Sequence, residues 1–151
     1  MNDNLEIWGR LAYVHKDCDG NILGEGACHN QIQRYMLEQV VDAIAAGTCS
    51  DVANMEVGTG VGASNTSAHL VISASSNELA VATEGGSNIT VAFASTFTAL
   101  TATITEAGLF PHGTAGISST SYMMAYNDGL NVVLTSSDTL LLTWTISTAS
   151  T

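Results

Sequence analysis

The chain has 151 residues, enough for one domain with a real core and too few for two comfortable ones. Charged residues make up only 11%, against about 25% in an average soluble protein. The net charge is -11, and all three basic residues, Arg10, Lys16 and Arg34, lie in the first 34 positions; nucleic acid and anionic membrane surfaces are excluded as partners, since both need clustered Lys and Arg.

Met1-Asn2-Asp3-Asn4 has neither the basic nor the apolar segment of a signal peptide, and no apolar run reaches the roughly 18 residues that cross a bilayer. Synthesis in a cytosol without export is the expectation. Glu6 to Lys16 carries Ile7, Trp8, Leu11, Tyr13 and Val14 in mostly alternating order, and Asp17-Cys18-Asp19-Gly20-Asn21 supplies turn chemistry before Ile22-Leu23. This predicts an N-terminal hairpin within residues 1–29, available as an assembly arm. Trp8, Leu11 and Tyr13 are candidate interface residues, and equally candidate core. The Asp-rich turn resembles part of a calcium loop but lacks its closing Glu, so a plain turn is the better reading. Cys18, Cys28 and Cys49 are irregularly spaced; neither a disulfide framework nor a zinc site is expected, and Cys18, Cys28 and His29 together make only a weak metal alternative.

One helix is predicted over about 31–46, with Asn30 as N-cap, Gln33 at the capping-box position and Gly47 as the stop. Ile32, Met36, Leu37, Val40, Val41 and Ile44 fall on one half of its wheel, a stripe suited to packing on a sheet. The remainder reads as strands: Val52 to Val57, Glu78 to Thr83, Asn88 to Phe97, Ala102 to Thr105, Tyr122 to Tyr126, Leu130 to Thr135 and Thr139 to Ser147. In the last, Leu140, Leu142, Trp144 and Ile146 share a face. Gly60 to Asn77 and Pro111 to Ser121 suit projecting loops. A single mainly β domain, an antiparallel sandwich or barrel with one amphipathic helix and an N-terminal hairpin, is the expected fold.

Thr103-Ile104-Thr105-Glu106-Ala107-Gly108-Leu109-Phe110 carries the most specific signal. Alternation breaks at Glu106, a carboxyl group in apolar surroundings; Gly108 allows a turn, and Leu109-Phe110 restores apolar surface before Pro111. Either Glu106 is held by defined donors and Phe110 is delivered to a pocket, or Glu106 ends a strand in solvent. Catalytic signatures fail: Gly58-Thr59-Gly60-Val61-Gly62 lacks a βαβ setting, there is no nucleophile elbow or phosphate loop, and His15, His29, His69 and His112 are scattered. A carboxyl pair of Glu106 with Asp138 or Glu84 is the residual enzyme reading. No cofactor is expected.

The order of motifs carries a resemblance. An Asn-led helix, Val57-Gly58-Thr59-Gly60, Asn88-Ile89-Thr90, Thr105-Glu106-Ala107-Gly108-Leu109-Phe110, Met123-Met124-Ala125 and Asp138-Thr139-Leu140 leading to Trp144-Thr145-Ile146 together resemble small structural proteins of tailed-bacteriophage virions. The resemblance spans roughly Asn30 to Ile146; the long Pro111 to Ser121 insert and the lack of basic residues after Arg34 depart from it. It implies a non-enzymatic capsid decoration (cement) protein, a homo-oligomer with a trimer favoured, clamping neighbouring major capsid subunits in the virion. The alternative is a tail, collar or fibre-associated protein, with a glycan-binding β-sandwich as a third class. Within this resemblance Gly58, Gly60, Glu106, Gly108, Leu109 and Phe110 form a structural motif that sets a strand end, with Gly108 and Phe110 fixing a turn and an anchor.

Overall fold

The alternation at the C-terminal end dictates one of the two longest strands. In the computed structural model, which describes residues 5–47, 52–63, 73–78, 83–85, 90–111 and 123–150, Leu140, Leu142 and Trp144 are fully buried and Ile146 nearly so, while the intervening residues are half-exposed. Each such side chain removed from water contributes about 1.5–3 kcal/mol. This strand, β11 (Thr139–Ser150), lies between β1 (Leu5–Lys16) and β6 (Thr90–Thr98), antiparallel to both.

The other strands extend the sheet on either side. β1 pairs with β2 (Ile22–Ile32) across the Asp17–Asn21 turn, and β2 pairs at its far end with β9 (Ala125–Asn127). Then follow β8 (Glu106–Pro111), β3 (Val52–Gly58) and β4 (Ser73–Glu78), while β5 (Thr83–Gly85) flanks β6 at the opposite edge. The nine strands form one antiparallel sheet that curls until β4 comes against β6, a barrel-like shape around one main core. A separate two-stranded antiparallel sheet of β7 (Ala102–Ile104) and β10 (Val132–Leu134) adds Ile104, Val132 and Leu134 to that core.

The hairpin turn follows directly from its residues. Asp17 accepts from the amides of Asp19 and Asn21 at 2.9 and 2.8 Å and from Asn21 Nδ2 at 2.9 Å, and Gly20 takes the positive φ of 85° that the turn demands. The Asn21 side-chain bond above all holds Asp17 below the usual carboxylate range, so its oxygens are already engaged by the turn.

Several sequence expectations are revised. The N-terminal hairpin is central in the sheet, with β1 bonded on both sides. Asn30 is not a helix cap: β2 continues through it to Ile32, and the helix α1 (Arg34–Ala46) starts only at Arg34, with Gln33 at the cap position and no side-chain capping bond to the helix. The chain turns there because the Gln33 amide donates to the Met124 carbonyl at 2.9 Å. Gly47 does terminate α1, in the left-handed region at φ 66°. The apolar stripe is split: Met36 is buried and Val40 half-buried, but Leu37, Val41 and Ile44 are 46%, 62% and 80% exposed. Ser73–Glu78 is a strand within what reads as a loop, and Glu106–Pro111 is a strand in its own right. Most of the expected Pro111 to Ser121 loop lies outside the described residues, as does Cys49.

Candidate functional site

Register brings the glycine-rich stretch and the Glu106 motif together. β3 and β8 are antiparallel neighbours with Gly58 opposite Glu106 and Glu56 opposite Gly108; β8 and β9 place Tyr126 opposite Gly108. Alternation then sorts the side chains. Val57, Met55, Ala107, Leu109 and Ala125 belong to the main core, whereas Phe110 and Tyr126 form a second cluster with Met123 on the other side of the sheet.

Glu106 is fully buried in this second layer. Its Oε1 accepts the Gly60 amide at 2.9 Å and its Oε2 accepts the Tyr126 hydroxyl at 3.2 Å. The Tyr126 oxygen in turn accepts the Ala63 amide at 3.2 Å, and Thr105 Oγ1 donates to the Gly60 carbonyl at 2.7 Å. The Thr105 amide donates to Gly58, and the Gly62 amide to Asp128. The whole 58–63 segment is therefore laced to the start of β8 and to β9. Burial, with the nearby Glu106 charge adding to it, pushes the Tyr126 phenol up to about 12.

Of the sequence-derived motif, Gly58, Gly60, Glu106 and Phe110 converge here, with Glu106 held by defined donors and Phe110 anchored beside Met123 and Tyr126, whereas Leu109 faces the main core on the other side of the sheet. Gly108 makes no turn. It is an extended residue inside β8, standing between Glu56 and Tyr126, because pairing on both sides keeps the backbone straight. Glu56 and Asn54 are also buried on this face, and both are bonded.

Asp138 belongs to a different place. It accepts the Thr135 amide at 2.8 Å and lies 3.2 Å from His15 Nε2 at the start of β11. The Thr135 amide, followed by His15, holds its carboxyl below the ordinary range. Glu106 and Asp138 are thus held by different groups, Gly60 and Tyr126 for the one and Thr135 and His15 for the other, and the side chain of Glu84 lies outside the described residues. Cys28 points inward and donates to Asn127 Oδ1 at 3.2 Å, its thiol pushed up by burial, while Cys18 is exposed in the turn. Among the described residues no three His, Cys, Asp or Glu side chains are grouped to hold a metal.

Compared with known proteins, the chain matches no family model, no curated protein and no solved structure at a significant level.

The candidate contact residues part company. Leu11 is fully buried and belongs to the main core, and Tyr13 is half-buried against the same core, its ring over Gly26. Both face inward because they alternate with Trp8 and Arg10, which face outward; Trp8 is 44% exposed. Tyr126 is the residue that sequence reasoning missed. It closes the Glu106 network, and its only sequence signal is an aromatic residue leading into Asn127-Asp128-Gly129, a turn-type cluster.

Proposed function

We propose that this protein is a structural component of a tailed-phage virion that decorates the capsid and stabilises it by clamping neighbouring major capsid subunits, as a homo-oligomer with a trimer favoured. The observation that carries this reading is the row of exposed apolar side chains on α1. Leu37, Val41 and Ile44 repeat at helical spacing on one flank and are half to four-fifths exposed, on a chain whose charge otherwise keeps it apart from copies of itself. Such a surface supports association with another protein. The Glu106 network supports the same reading from the other direction, since its acceptor oxygens are spent on Gly60 and Tyr126 and serve rigidity. The order of sequence motifs adds the resemblance to virion proteins.

The test is particle stability. Virions depleted of the protein lose infectivity on heating or osmotic shock at least tenfold faster than complete virions, and adding the purified protein back restores them. Equal survival of depleted and complete particles overturns the cement role and leaves the tail or fibre position.

A further inference from the structure

A pocket of about 220 Å³ lies between α1 and the sheet, walled by Met36 and Ala43 of α1, Val91 and Phe93 of β6, Ile146 of β11, and Met124, with Gln39 of α1 as the one polar residue among its described lining residues. Apart from Gln39 these are carbon and thioether surfaces, and the two methionines can adapt their shape to an occupant. An apolar cavity of about 150 Å³ takes up benzene, so this one has room for about nine non-hydrogen atoms by simple scaling.

A second, independent feature stands behind that wall. Asn30, Gly9, Ile146 and Val91 form one row across β2, β1, β11 and β6, all on the inner face. Because Gly9 has no side chain, the Asn30 amide lies across it, where any side chain at position 9 would collide with Asn30 Oδ1. The amide therefore reaches sideways to within about one strand spacing of the pocket residue Ile146. Both its polar atoms are buried with no hydrogen-bond partner among the described residues. So is Nε1 of Trp144, in the adjoining row directly beside Phe93. Buried polar groups are normally satisfied, and here a donor-acceptor amide and an indole donor remain open next to an apolar chamber.

We propose that this pocket is a binding site for a small amphipathic molecule: a single aromatic ring or short alkyl chain seated between Phe93 and the two methionines, with one hydroxyl directed past Ile146 to the Asn30 amide. A hydroxyl both donates and accepts, and so matches an amide whose two ends are both unpaired. The site is independent of the proposed virion role.

The test uses the full chain with methyl-labelled methionine, titrated with 4-ethylphenol and with ethylbenzene and read by NMR. The Met36 and Met124 methyl signals shift saturably with both probes while Met123, in the second cluster, stays fixed; 4-ethylphenol binds at least tenfold tighter. In Asn30→Ala that preference falls below twofold with ethylbenzene affinity unchanged. Ala43→Phe, which fills the chamber, abolishes both shifts; should it fail to fold, Val40→Phe serves the same purpose from the next turn of α1. Absence of saturable shifts up to probe solubility, shifts centred on Met123, or equal affinity for the two probes overturns the proposal.

Discussion

Glu106 shows how a single carboxyl group can hold a loop. Replacing it by Ala strands the Gly60 amide and the Tyr126 hydroxyl inside the protein, and each buried polar group left unpaired costs about 1–3 kcal/mol. Glu106→Ala is therefore expected to lose about 3 kcal/mol or more in urea unfolding, Tyr126→Phe about 1–2, and Phe110→Ala about 3–5 through its emptied site. Glu106→Gln, which keeps an acceptor, falls between wild type and Glu106→Ala. Tyr126 and Asp138 each contribute to a pH limit, beside Cys28 on the alkaline side and Asp17 on the acid side. Tyr126, raised from about 10 in the unfolded chain to about 12, contributes stability that is complete below pH ~10 and is lost as pH climbs through 12. Asp138, lowered, contributes stability that is present above its unfolded value of about 3.9 and disappears as pH falls through its folded value. Melting temperature against pH checks both: Tyr126→Phe flattens the alkaline limb and Asp138→Asn the acid one. The importance of Glu106 was legible in the sequence because a carboxyl group amid apolar residues needs donors. Its partners were not, since Gly60 and Tyr126 lie 46 and 20 residues away and meet it only through the β3, β8 and β9 registers.

Elements were legible where burial produced a simple period. β11 alternates strictly because one face fills the core, and α1 ends at Gly47 because the backbone there must turn left-handed. Gly47→Ala should cost about 1 kcal/mol, measured by the same urea unfolding. β2 misled for a physical reason: its inward positions are Gly24, Gly26, Cys28 and Asn30, so it lacks the alternation of large apolar residues that marks a strand, and Asn30 to Gln33 imitates a capping box. Pairing with β1, not local propensity, makes it a strand. The α1 stripe misled in the opposite way. Its period is helical, but the face turned from solvent carries Tyr35, Met36, Gln39, Val40 and Ala43, which leaves Leu37, Val41 and Ile44 outside. Replacing Leu37, Val41 and Ile44 together by Ser should change stability by no more than about 0.5 kcal/mol per site, since these side chains are already in water, while reducing self-association or capsid binding at least tenfold. Sedimentation of the variant, alone and with capsids, reads both effects.

At the scale of the molecule, the class of fold was written in composition: few charges, many hydroxyls and seven recognisable strand runs around one helix. Strand order was not, because β9 lies between β8 and β2, and β11 returns to pair with β1, through contacts that no local pattern encodes. The resulting body offers a curled sheet that is rigid at the Glu106 layer and an apolar helix flank that is open. Those two properties suit a clamp, which must hold its own shape while binding others. The proposed role is tested most directly by cryo-electron microscopy of intact particles. Density for this barrel on the outer shell, repeated at symmetry positions between major capsid subunits with α1 facing a neighbour, is the expected result. Density confined to the tail or fibres, or particles that contain none of the protein, contradicts it.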